Sequence, residues 1–158
     1  MQDSRRQFIE AMLALPALSL LTQAQDADQI ISPVVLRGRV VNLADVMQQK
    51  YQAALEPQRA VIYCLKTTEG KFYPFLPSDQ AAAIYDDERF RQRELQVTAR
   101  TFAEFPFIEV IKLQSVKWGR VFDLYYFCEV CNITTHKPGP CECCQDPVVF
   151  TEEPVKNN

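Results

Sequence analysis

Apolar and polar positions alternate with a period of two along several stretches of the chain. Over 95–102, LQVTARTF, Leu95, Val97, Ala99 and Thr101 fall on one side and Gln96, Thr98 and Arg100 on the other, the pattern of a half-buried strand. VVLRGRVV at 34–41 repeats it, with Leu36, Gly38 and Val40 opposed to Arg37 and Arg39. AVIYCLKT (60–67) and KFYPFLP (71–77) read as two strands joined across TEG, where Gly70 supplies the positive φ of a tight hairpin. PFIEVIKLQSV (106–116) and RVFDLYYFC (120–128) form a last long pair around KWG, and PVVF (147–150) is expected to return as a strand against Tyr125 to Phe127.

The period changes in two segments. After Asn42, a good cap, Leu43, Val46, Met47, Tyr51, Ala54 and Leu55 recur at helical spacing before Pro57, which predicts an amphipathic helix with Met47 and Tyr51 in the core. Ser78 then caps DQAAAIYDDERFRQ, with Asp79 well placed for the positive end of a helix. In that segment Asp87 and Arg91 stand i, i+4, on a solvated and self-paired face.

The order strand, strand, strand, helix, strand, strand over 34–116 resembles the OB-fold superfamily, a small Greek-key barrel. The helix at 42–55 departs from the simplest version of that barrel. The resemblance implies an α+β chain, a small OB-like β-barrel with one or two helices, followed by the cysteine-rich segment on a C-terminal hairpin. Tyr63, Phe72, Tyr73, Phe75, Tyr125, Tyr126 and Phe127 are expected mostly in the core or on the sheet surface, while the resemblance also implies a face on which exposed Tyr or Phe can stack sugars or bases.

At 158 residues, with 47% hydrophobic and 23% charged positions, the chain has room for one domain with a real core and an appendage. A net charge of -3 gives no global attraction to a polyanion, so no nucleic-acid partner is expected. A single histidine, and no G-x-S-x-G, phosphate-cradling glycine loop or H-E-x-x-H, leave little support for an enzyme, and no catalytic residue is assigned.

The N-terminus reads SRRQFIE at 4–10, then the apolar run AMLALPALSLL and TQAQDA. This resembles a twin-arginine export signal through Ser4, Arg5, Arg6, Phe8 and Ile9, with Glu10 where lysine is common. The run is shorter than the about 20 residues that span a bilayer, and Pro16 interrupts it. The resemblance implies engagement of the twin-arginine export machinery, cleavage after Ala24, and a periplasmic or secreted protein. No cysteine follows the cleavage region, so no membrane anchor is expected after removal. The expected divisions are 1–24 signal, 25–33 linker, 34–127 OB-like domain, 128–150 cysteine-rich knuckle and 151–158 mobile tail.

CEVCNITTHKPGPCECC, residues 128–144, holds five of the six cysteines and the single histidine. Cys128 and Cys131 form one C-x2-C and Cys141 and Cys144 another, with nine residues between them. Two such turns can aim four thiolates at one ion. The segment resembles zinc-ribbon and rubredoxin-like knuckles, and PGPCECC is similar to the heavy-metal-binding module that carries Pro-Gly-x-Cys-x-x-Cys. It departs from them in having Asn132 and Gln145 where glycine is usual, and in the extra thiol of Cys143.

A disulfide-stapled loop and a reactive thiol pair are the alternatives. Export by the twin-arginine route disfavours the former, because that route carries proteins folded in the reducing cytoplasm. For the ion, four thiolates favour Zn²⁺, with iron and Cu(I) behind it. Cys143 and His136 are possible further ligands, and Cys64 is expected as a small buried hydrophobe. The expected function is an exported, non-catalytic protein with a mainly structural metal site. The alternatives are a rubredoxin-like iron electron carrier, a copper-handling protein, and an OB-type module for sugars or other ligands.

Overall fold

The computed structural model describes residues 33–55 and 61–156. The export motif with Arg5, Arg6 and Phe8, and all but the last residue of the expected linker, lie outside the described residues. The elements are β1 (Val34–Asn42), α1 (Leu43–Tyr51), β2 (Tyr63–Thr67), β3 (Phe72–Pro74), a 3₁₀ turn (Asp79–Ala81), α2 (Ala82–Asp86), α3 (Glu88–Arg91), β4 (Glu94–Thr101), β5 (Ile108–Lys117), β6 (Arg120–Cys128), β7 (Ile133–Thr135) and β8 (Val149–Pro154). Among the described residues the strands form one sheet in the order β3-β2-β1-β4-β5-β6-β7, with β8 also paired to β6. The chain is thus α+β, as its alternation and helical spacing predict.

The sheet curls into a half-barrel. Beyond β3, Phe75 meets Ile108 in a parallel bridge, and the Leu76 N–H donates to the Ile108 carbonyl at 2.9 Å, so the end of β3 reaches the start of β5. Gly38 permits the curl. It faces Thr67 on β2 and Leu95 on β4, and a Cβ there would lie 2.2 Å from the Lys66 carbonyl oxygen. A bulge bends the other side: Thr98 faces Lys112 while Ala99 faces Val110, leaving Ile111 as the extra residue. Ile111 and Lys112 therefore both point outward, and Val110 and Leu113 remain buried.

Inside, Val40, Leu65, Leu95, Val97, Ala99 and Ile108 pack with Ile84 and Phe90 from the helical segment and with Leu124 and Tyr126 of β6. Outside, a polar ladder crosses four strands. Arg37 Nε donates to Gln96 Oε1 at 2.8 Å, Gln96 Nε2 to Gln114 Oε1 at 2.9 Å, and Gln114 Nε2 to Asp123 Oδ1 at 2.7 Å. Trp118 and Gly119, at φ 50° and 74°, make the two-residue turn between β5 and β6 that KWG predicts.

Four expectations need correction. Asn42 caps α1 as predicted, accepting from the Ala44 N–H at 3.1 Å, but α1 buries none of its residues and Tyr51 is 61% exposed. Helical periodicity there marks a face that is half-buried at Leu43, Val46 and Met47 rather than part of the core. The second helical segment is broken at Asp87, whose extended backbone ends α2 and caps α3. Asp87 does not pair with Arg91: it binds Arg89 and Tyr126, while Arg91 Nη1 donates to the carbonyls of Ile84 and Tyr85. Finally, Thr151–Pro154, expected in a mobile tail, continues β8 along β6 from Tyr125↔Thr151 to Phe122↔Pro154. Glu152 holds it there, accepting from Ser115 Oγ and Lys117 Nζ, with Arg93 Nη2 at 3.5 Å.

Candidate metal centre

Strand β6 carries the core row directly into the cysteine cluster. Leu124, Tyr126 and Cys128 alternate inward and are 5%, 1% and 1% exposed. Past Cys128 the chain turns and Ile133 pairs back against it, so β7 holds the first knuckle to β6. The second knuckle hangs from the opposite edge. Pro140 bridges Pro147, the Val148 N–H donates to the Gly139 carbonyl at 3.2 Å, and the chain then enters β8 on β6. Gly139, at φ 125°, makes the bend.

Each C-x2-C is closed in the same way. The Asn132 N–H donates to the Cys128 carbonyl at 2.8 Å and the Gln145 N–H to the Cys141 carbonyl at 2.9 Å. Both donors sit in the left-handed region, Asn132 at φ 56° and Gln145 at φ 66°. These are the positions where related knuckles place glycine, and Asn and Gln bear the strain instead.

The two turns bring the Sγ atoms of Cys128, Cys131, Cys141 and Cys144 within 4.8 Å of one another. Four sulfurs at about 2.3 Å from a tetrahedral ion would lie about 3.8 Å apart, so the set has the right size for one. The Cys128 and Cys144 Sγ atoms stand 3.5 Å apart, far from the about 2.05 Å of a disulfide, and all six cysteines are free thiols. The four are positioned to hold a metal ion.

Backbone donors prepare the site for anionic sulfur. The N–H groups of Cys144 and Cys143 pull the Cys141 thiol down to about 7, and the Cys131 N–H donates to Cys128 Sγ at 3.4 Å. Interaction with the Cys143 side chain, then with that of Cys144, raises the Cys131 thiol. An ion would replace these thiol–thiol contacts by metal–thiolate bonds.

The two further candidates separate. Cys143 is exposed and lies outside the convergent four. His136 is exposed, lining a shallow cleft with Asp79, Gln80 and Glu142, where Lys137 Nζ pairs with Asp79 at 2.5 Å. It is not brought to the sulfurs, because β7 ends at Thr135 and the chain turns toward the 3₁₀ segment before returning to the second knuckle. Cys64 is fully buried in β2, as expected, and burial pushes its thiol up to about 11.

The pattern of the sequence did not reveal the polar link beneath the site. Tyr126 donates its hydroxyl to Asp87 Oδ2 at 2.6 Å, and Arg89 Nε and Nη2 donate to the same carboxylate at 2.9 and 2.6 Å. Burial opposes ionisation of Asp87, but the Arg89 and Tyr126 hydrogen bonds overcome it and hold the carboxyl at about 2. Arg89 lies 4.2 Å from the Phe150 ring centre, and Phe150 also packs on Phe90 and Tyr126. The helical segment, β6 and β8 are thereby tied together two residues from Cys128.

Among the aromatics considered for a stacking face, Phe75 and Tyr126 are buried, and Tyr63 is covered by Tyr85 and Arg91. No described helix is long and apolar enough to cross a membrane. Comparison with protein-family models, curated proteins and solved structures gives no match.

Proposed function

We propose that this chain is an exported, non-catalytic metal-binding protein whose Cys128, Cys131, Cys141 and Cys144 hold one Zn²⁺ in a mainly structural role. The observation that carries this is the convergence of two C-x2-C turns, each closed by a backbone hydrogen bond and a left-handed residue, with all four Sγ atoms within 4.8 Å. A closed set of four sulfurs with no position kept open is the donor chemistry of structural zinc rather than of a hydrolytic site. Iron would use the same ligands, so colour separates the two.

The barrel is read as OB-like. Support comes from β1–β2–β3, a helical segment, then β4 and β5, with β4 beside β1 and the end of β3 parallel to the start of β5. Export through the twin-arginine machinery to a periplasmic or extracellular location rests on SRRQFI and the apolar run after it. Replacing Arg5 and Arg6 by Lys should leave precursor in the cytoplasm; unchanged export would remove that part of the proposal.

Elemental analysis of protein purified from its native compartment tests the metal reading. One zinc per chain and no visible absorption are expected. A visible band that bleaches on reduction would make the protein a rubredoxin-like iron carrier, and cysteines found in disulfides without metal would overturn the reading.

A further inference from the structure

The β5–β6 hairpin ends in an uncovered tryptophan. Trp118 is the single tryptophan of the chain and is 90% exposed, more than any other large apolar side chain among the described residues. The turn itself does not call for an indole: it needs positive φ, 50° at Trp118 and 74° at Gly119, which Asn or Gly supplies without an exposed ring. Cationic side chains frame the tip. Lys117 and Arg120 are cross-strand partners, and the Val155 N–H donates to the Val121 carbonyl at 3.0 Å, which brings the exposed Lys156 alongside Arg120 as the register continues by one residue. The acidic residues stand back from the tip or are already paired. Glu152 holds Lys117, Lys112 holds Asp123 at 2.7 Å, and Glu153 faces Asp123, three residues along β6 from Arg120. Arg120 forms no ion pair among the described residues, and Gln96, Gly119, Val121 and Val155 complete with it a cleft of about 330 Å³.

We propose that this hairpin tip docks reversibly on an anionic lipid surface, with the Trp118 indole at the headgroup level and Arg120 and Lys156 against the lipid phosphates. An indole joins an apolar body to a polar N–H, which places it at the boundary between hydrocarbon and water. A guanidinium holds a phosphate through two parallel hydrogen bonds, and the cleft beside Arg120 has room for one. Because the chain as a whole carries a net charge of -3, attraction to anionic lipid is confined to the tip and orients the protein hairpin-first. The proposal is independent of the metal reading. Arg120 and Cys128 stand at opposite ends of β6, ~27 Å apart along the strand, so docking leaves the cysteine cluster at the far end.

A protein partner is the less favoured occupant. Protein interfaces set Trp within a packed patch and are depleted in Lys at the centre. Here Trp118 is the one exposed large apolar side chain between residues 112 and 128, and its neighbours are Lys117, Gly119 and Arg120. One ring with a few cations, each contributing about fivefold in affinity near an anionic surface, gives a reversible contact rather than an anchor.

As the one indole of the chain, Trp118 reports the contact through its own emission. Protein purified from its native compartment and mixed with vesicles of equal parts phosphatidylglycerol and phosphatidylcholine should show a blue-shifted emission that acrylamide quenches less. Vesicles of phosphatidylcholine alone, or inorganic phosphate, should change neither. In co-sedimentation with the anionic vesicles, Trp118→Ala should lose binding, and Arg120→Gln combined with Lys156→Gln should weaken it about 25-fold. Both variants replace exposed side chains, so the fold is kept. Unchanged emission with anionic vesicles, an equal shift with phosphatidylcholine alone, or co-sedimentation that survives Trp118→Ala would overturn the proposal. An emission shift that follows protein concentration in the absence of lipid would overturn it as well, assigning the tip to self-association.

Discussion

Removing the Tyr126 hydroxyl tests whether the polar link under the metal centre stabilises the fold. In Tyr126→Phe the ring stays against Phe90 and Phe150, and only the 2.6 Å bond to Asp87 is lost. Hydrogen bonds to a charged group contribute about 1.5–3 kcal/mol. The low end applies, because Asp87 keeps its bonds from Arg89 and is not left without a partner. A second estimate agrees: a carboxyl held at about 2 against 3.8 contributes about 2.5 kcal/mol in all, and Arg89 shares that with Tyr126. A loss of about 1.5 kcal/mol, or roughly 3–6 °C in Tm, is expected. Urea unfolding of zinc-loaded protein at pH 7, for Tyr126→Phe, Asp87→Asn and the double variant, isolates the pair as a coupling energy of about 1.5 kcal/mol. The ionised Asp87 contributes fully above about pH 4, and its contribution fades as pH falls toward 2, so the gap between parent and Tyr126→Phe should close over that window. Coupling below about 0.5 kcal/mol, or a gap that does not change with pH, would refute the reasoning.

Cys128→Ser should bring metal content from one per chain to near zero, since the buried inner wall has no substitute donor. An ion present at a thousand times its Kd contributes about 4 kcal/mol, so Tm should fall by roughly 10 °C; an unchanged metal content would place the site elsewhere. Gln145→Gly should gain about 0.5–1 kcal/mol in thermal unfolding by relieving the left-handed backbone at φ 66°, and a loss there would mean that the side chain's 3.5 Å contact with the Glu142 carbonyl outweighs the strain. Gly38→Ala should cost about 3 kcal/mol or more, because the new methyl meets a backbone oxygen at 2.2 Å; near-normal stability would show that β1 and β2 can separate without disturbing the half-barrel.

Much of the local structure was legible because it is set locally. The alternation of Leu95, Val97 and Ala99 places all three in the core, and TEG and KWG turn where Gly70 and Gly119 allow positive φ. The strain at Asn132 and Gln145 was visible too, since the geometry of C-x2-C fixes what its next residue must do. Features that depend on a distant partner were hidden. The break at Asp87 answers to Tyr126, thirty-nine residues away, and nothing in DDERFRQ announces it. The polar sequence Thr151–Glu153 resembles a tail until Glu152 finds Ser115 and Lys117. The spacing of Val46, Met47 and Tyr51 records an apolar face without recording how deeply it is covered, and Val46 and Met47 turned out half-buried and Tyr51 exposed. The exposure of Cys143 follows from the direction of the second turn, which the spacing of the cysteines does not encode.

The chain separates two closures by their span. Cys128 and Cys144 approach across sixteen positions, whereas the half-barrel joins Val34 to Ala99, about four times as far along the chain. Two doublings of loop length cost only about 1.2 kcal/mol more entropy, but non-local pairing is also the slower search. The shorter closure is therefore expected to open ahead of the strands, before global unfolding. In amide hydrogen exchange it should appear as a separate step: metal removal quickens exchange at the Asn132 and Gln145 amides, whose hydrogen bonds close the two turns, while Val97 and Leu113 retain the slow exchange of global unfolding.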